Sequence, residues 1–91
     1  MKTVKVVIHG RVHGVWFRAT TRSQAEKQGV HGWVRNTDDG KVEAVFQGDD
    51  EVVDGMVDWC HQGSSLSKVA KIESTVIDTD EIFDDFHVRY H

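Results

Sequence analysis

Apolar and polar residues alternate through Thr3-Val4-Lys5-Val6-Val7-Ile8-His9. That two-residue period, rich in β-branched side chains, predicts a strand over Thr3 to His9 with Val4, Val6 and Ile8 on one face and Val7 on the other. Gly10 and Gly14 interrupt it. From Phe17 to Gln28 the composition suits a helix, and Gly29 is a natural stop. Its apolar stripe is thin, Phe17, Ala19 and Ala25, so periodicity alone makes it the weakest element. Gly32 to Asn36 and Lys41 to Gln47 return to strand alternation, and Asp39-Gly40 between them supplies the positive φ of a tight hairpin.

Gly48-Asp49-Asp50-Glu51 then offers a capping residue and early acids for a second helix. In it Val52/Val53, Met56/Val57 and Trp59/Cys60 recur at helical spacing until Gly63. Lys68 to Ile77 and the short Phe86 to Tyr90 alternate again as strands. The order is βαββαβ with a short fifth strand. Two helices separated by a hairpin pack most economically on one face of an antiparallel-rich sheet, so the expected fold class is α+β, a ferredoxin-like α/β sandwich.

Length and composition narrow the picture. Ninety-one residues suffice for one core, so a single domain over 1–91 is expected. With 38% apolar and 29% charged residues the chain is globular rather than disordered. A net charge of −4 argues against a general nucleic-acid or anionic-membrane partner. The acids are unevenly placed, however: Glu26 is the only one in residues 1–36, which leaves the first third basic and able to hold a local anion. The mid-chain acids read as a solvated helix face. The first residues form neither a signal peptide nor a membrane span, so the cytosol is the expected location. Cys60 is the only cysteine; no internal disulfide is possible, and a small buried core residue is its commonest role.

The chemistry concentrates in His9-Gly10-Arg11-Val12-His13-Gly14-Val15-Trp16-Phe17-Arg18, between the first strand and first helix. A helix begins with unpaired N–H groups and the positive end of its dipole, and a glycine-containing loop ahead of it can add further N–H donors. Arg18 could set a planar, permanently charged fork against an anion held there. Taken alone, the same residues also fit a glycine turn with a solvated arginine. The stretch lacks the Gly-Lys-Ser/Thr ending of a nucleotide P-loop and the glycine spacing of a dinucleotide fingerprint.

Gly10-Arg11-Val12-His13-Gly14-Val15-Trp16-Phe17-Arg18, then Gly32-Trp33-Val34-Arg35-Asn36-Thr37 with Asp39-Gly40, and finally Phe86-His87-Val88-Arg89-Tyr90 together resemble the acylphosphatase family over the whole chain. The resemblance implies a metal-free, cofactor-free hydrolase of the carboxyl–phosphate bond, a monomer acting on a small-molecule acyl phosphate. It implies that Arg11, Val12, His13, Gly14, Val15, Trp16 and Phe17 form the phosphate-binding loop through their main-chain N–H groups. Arg18 falls on the family's phosphate-binding arginine and Asn36 on its water-orienting asparagine, the two catalytic residues. Two departures stand out: His13 replaces the usual glutamine, and Gln28 stands where an apolar residue is preferred, which is expected to loosen the packing of the first helix.

Trp33 and Arg35 alternate with Val34 and Asn36, so they are expected to face away from the helices as surface packing and an exposed charge. The six histidines are too scattered for a metal site. The reading from another functional class is a non-catalytic ferredoxin-like module that binds an anion or a partner.

Overall fold

The computed structural model describes residues 1–90; His91, the last residue of the expected domain, lies outside the described residues. The elements are β1 (Lys2–Arg11), α1 (Phe17–Gln28), β2 (His31–Asn36), β3 (Val42–Gly48), α2 (Asp50–Gln62), β4 (Lys68–Val76) and β5 (Phe86–Arg89). They build one sheet in the order β4-β1-β3-β2-β5. β1 pairs antiparallel with β3 and β4, and β2 antiparallel with β3. β5 joins the edge parallel to β2.

The registers explain the core. Val4 sits opposite Phe46, Val6 opposite Ala44 and Ile8 opposite Val42, while Val34 also faces Ala44. Period-two alternation therefore puts all of them on one face. Phe17 and Ala25 of α1 and Val53, Met56 and Cys60 of α2 join them in one buried cluster, so both helices cover the same side, as the pattern predicts. Each fully buried large side chain contributes about 1.5–3 kcal/mol, which makes this face the main source of stability.

The thin stripe of α1 has a structural resolution. The buried residues are Phe17, Thr21 and Ala25, a four-residue spacing that hydrophobicity alone misses because its middle member is polar. Thr21 is tolerated there because its hydroxyl donates to the Phe17 carbonyl at 2.7 Å. Ala19 and Gln28 are exposed, which corrects two expectations: Ala19 is not part of the core stripe, and a polar residue at 28 costs the helix no core packing. At α2, Asp49 occupies the N-cap position, but its carboxylate accepts no cap hydrogen bond. Its contribution there is charge beside the helix dipole, together with Asp50 and Glu51 in the first turn. Cys60 is buried, and burial pushes its thiol up to about 12, so it is packing rather than a nucleophile.

On the other face of the sheet, Glu43 accepts from Lys5 at 3.0 Å and from Arg35 at 2.8 Å. Burial pushes the Glu43 carboxyl up, but the hydrogen bonds from Lys5 and Arg35 outweigh it and hold it below its ordinary value. Arg89 lies 4.5 Å over the Trp33 ring. Trp33 and Arg35 thus face away from the helices as expected, although Arg35 is paired rather than free. Gln47 fastens the 77–85 connection to the sheet: its amide nitrogen donates to Thr3 Oγ1 and the Glu81 carbonyl, and its oxygen accepts from Phe83 N. No helix among the described residues is long and apolar enough to cross a membrane.

Gly32 is a test of close packing. It has φ 137°, and a Cβ there would drive into the Val45 carbonyl, a backbone atom with no freedom to swing aside. Gly29 also has positive φ, 74°, but open space around it. Gly32→Ala is expected to cost roughly 3 kcal/mol or more, and Gly29→Ala about 1 kcal/mol. Urea midpoints at unchanged m-value check the ordering; equal losses would show that the clash at 32 is relieved elsewhere.

Candidate active site

The loop is made by glycines at its entry and by buried valines along its length. A bulge between His9 and Gly10 shifts the β1–β4 register, and Gly10, at φ 128°, passes too close to the Lys68 carbonyl for any side chain. Arg11 still pairs with Lys68 as the last residue of β1. Val12 and Val15 are then buried, pinning the loop to the core at two points. Gly14 and Trp16 both adopt left-handed conformations, φ 68° and 63°. Trp16 is the only non-glycine residue with positive φ among those described. That conformation costs a bulky residue about 1–2 kcal/mol, and it is maintained where the chain swings into α1.

Trp16 is the N-cap of α1, and no side chain caps the helix. Its carbonyl accepts from Thr20 N at 2.9 Å and from Thr20 Oγ1 at 2.8 Å. The preceding N–H groups, those of Phe17, Arg18 and Ala19, have no acceptor within the helix. All three residues line a pocket of about 370 Å³ together with Val12, Gly14, Trp16, Asn36, Val88 and Tyr90. The size is that of a small-molecule site.

Asn36 ends β2 on the same face as Val34, which brings it beneath α1. Its Oδ1 is buried without a hydrogen-bond partner, an omission that normally costs about 1–3 kcal/mol. Asn36 also lines the pocket, and the broad χ2 torsion of asparagine leaves its carboxamide free to turn there. Arg18 enters from the helix side with its guanidinium 5.3 Å from the centre of the Tyr90 ring, and among the described residues no carboxylate forms a salt bridge with it.

Arg18 and Asn36 are therefore brought to one pocket, with Val12, Gly14, Trp16 and Phe17 of the expected loop. Arg11, His13 and Val15 are not on its wall. Arg11 is an exposed strand residue. The His13 ring bonds through Nε2 to the Lys41 carbonyl at 2.7 Å, so it donates there and ties the loop to the β2–β3 hairpin. The Val15 carbonyl accepts from Ser64 Oγ at 2.6 Å. The sequence reading did not single out Ala19, Val88 or Tyr90 as wall residues. Val88 and Tyr90 could have been found from the two-residue period of the last strand.

The hairpin after Asn36 is closed by Thr37. Its hydroxyl donates to Asp39 Oδ1 at 2.5 Å and accepts from Lys41 N at 3.0 Å, and Lys41 Nζ reaches Asp39 Oδ2 at 2.9 Å. Elsewhere the histidines are dispersed: His9 against Glu73, His31 against the Phe83 carbonyl, His87 beside Asp85. Among the described residues no group of three His, Cys, Asp or Glu side chains converges.

Fold and site together define a ferredoxin-like α/β sandwich whose first strand–helix junction presents free backbone donors, one guanidinium and one carboxamide to a shared pocket. The sequence profile of the family described as acylphosphatase matches residues 4–88. An acylphosphatase of Haloarcula marismortui is 52% identical over 85 residues, covering 93% of this chain and 92% of that protein. Among solved structures, an acylphosphatase from Bacillus subtilis superposes with a TM-score of 0.95 at 34% identity, covering 99% of this chain and 100% of that one. One from Coxiella burnetii superposes with a TM-score of 0.92 at 32% identity, covering 97% and 92%. This chain belongs to the acylphosphatase family. That membership sets aside the reading as a non-catalytic module.

The Thr37 hydroxyl first, and then Lys41, holds the Asp39 carboxyl down at about 2. A carboxyl lowered in the folded state contributes stability above its unfolded value of 3.8, and that contribution is lost as pH falls from there through about 2. Carbon NMR of the Asp39 carboxyl should show a midpoint near 2, moving upward in Thr37→Val. A wild-type midpoint at 3.8 would contradict the closed turn.

Proposed function

We propose that this chain hydrolyses the carboxyl–phosphate bond of small acyl phosphates, giving a carboxylate and inorganic phosphate, by direct attack of water on phosphorus. The observation that carries the reading is the convergence of uncapped N–H groups, Arg18 and Asn36 on one pocket. The phosphate oxygens take the N–H groups at the start of α1 and those of the loop, and the Arg18 guanidinium adds a fixed positive charge. The donor and charge arrangement is set before the substrate arrives, so it can stabilise charge on the equatorial oxygens without reorganisation.

Asn36 orients the attacking water. Its unpartnered Oδ1 accepts one water O–H and leaves an oxygen lone pair for phosphorus, in line with the departing carboxylate. As the new P–O bond forms, the bond from phosphorus to the acyl oxygen breaks and its electron pair leaves on the carboxylate. The water proton passes to a phosphate oxygen. A carboxylate is a good leaving group and phosphoryl transfer goes through a loose transition state, so positioning and charge stabilisation suffice without a side-chain nucleophile. The same reading takes the protein as a single-domain, metal- and cofactor-independent monomer of the cytosol, with neither nucleic acid nor membrane as partner.

Purified protein should hydrolyse benzoyl phosphate at an undiminished rate in the presence of a chelator. Asn36→Ala should lose most of kcat, while inorganic phosphate still inhibits with its wild-type constant. Arg18→Ala should weaken phosphate inhibition and lower kcat/KM roughly a hundredfold or more. Steady-state kinetics separate these outcomes, and an Arg18→Ala enzyme with wild-type constants would remove Arg18 from the site.

A further inference from the structure

The turn from α2 to β4 supports the phosphate loop from below. Gly63, the C-cap of α2 at φ 64°, packs so tightly on the Phe17 ring that a Cβ there would collide with it. The next residue, Ser64, is 6% exposed, and its hydroxyl donates to the Val15 carbonyl at 2.6 Å. Ser64 is itself immobilised, because its own carbonyl accepts from Ser67 N at 3.0 Å and from Ser67 Oγ at 2.7 Å. A hydroxyl has one proton to give, and here it goes to the loop.

That contact bears on the pocket through one peptide plane. The Val15 carbonyl and the Trp16 N–H belong to the same trans peptide and point in opposite directions. With its oxygen held toward Ser64 in the interior, the 15–16 peptide must aim its N–H away from the core, and Trp16 is on the pocket wall. Trp16 also has φ 63°, which a non-glycine residue leaves readily. Rotation of this peptide would relieve that φ and withdraw the N–H from the pocket, and the Ser64 hydrogen bond opposes such a rotation.

We propose that Ser64 is a positioning residue for phosphate: its hydroxyl holds the 15–16 peptide in the orientation that offers the Trp16 N–H to the bound phosphate. This rests on the phosphate site assigned above. Ser64 touches no substrate; it acts through the main chain of the loop.

The test is a titration of ¹⁵N-labelled protein with inorganic phosphate, following the amides of residues 14–19, alongside kinetics with benzoyl phosphate. In the wild type the Trp16 amide should move downfield together with those of Arg18 and Ala19. In Ser64→Ala the Trp16 response should vanish while the Arg18 and Ala19 responses persist, with kcat/KM lowered roughly a hundredfold. Ser64→Thr, which keeps the hydroxyl, should restore both. A general loss of packing would disturb all the amides alike, so the selective loss at Trp16 is the informative result. A wild-type Trp16 amide that stays still while its neighbours move would overturn the proposal, as would a Ser64→Ala protein titrating like the wild type. If the alanine variant does not fold, Ser64→Cys, close in size but a much weaker donor, takes its place: a reduced Trp16 response beside unchanged Arg18 and Ala19 responses is expected, and a wild-type titration would overturn the proposal. If none of these amides responds in the wild type, it is the phosphate site that fails, and the role of Ser64 falls with it.

Discussion

The N–H groups of Phe17, Arg18 and Ala19 have no acceptor inside α1, and no side chain caps the helix. A helix end in this condition loses the stabilisation of a cap, typically about 1 kcal/mol, and keeps an electropositive surface instead. Much of the surrounding structure is organised around leaving that surface open. The chain reaches it through a bulge and two left-handed residues rather than through a capping serine or aspartate. Trp16, at the N-cap, has no side-chain oxygen with which to fill the donors.

An uncapped helix end needs support from outside the helix, and the loop receives it from three sides. Val12 and Val15 are buried in the core. His13 reaches the Lys41 carbonyl of the β2–β3 hairpin, and Ser64 reaches the Val15 carbonyl from the α2–β4 turn. Of these residues only Val12 also lines the pocket. His13 bonds the hairpin and does not line the pocket, so its side chain bears on loop support rather than on the pocket wall.

The sequence made the architecture legible because its signals were strictly periodic or stereochemically specific. The alternation of Val4, Val6 and Ile8, the Asp39-Gly40 turn and the Gly29 stop each correspond to an observed feature. Arg18 and Asn36 were readable as a pair only through motif resemblance; taken alone, a solvated arginine and a turn residue are the commoner readings. The misses have physical causes. Thr21 escaped the α1 stripe because a hydroxyl bonded to its own helix behaves as core. Gln28 was read as a packing defect, but its place on the helix faces solvent. The parts played by Gln47 and Ser64 depend on which backbone groups pass nearby in space, and no spacing in the chain encodes that.

The far wall of the pocket carries a consequence for its stiffness. Val88 lies on β5, with Tyr90 just beyond it, and among the described residues β5 is an edge strand laddered to β2 alone. The opposite wall, at the start of α1, is anchored in the core through Phe17. Edge strands fray more readily than central elements, so breathing of the β5 edge would widen the cavity from the tyrosine side while the helix side stays in place.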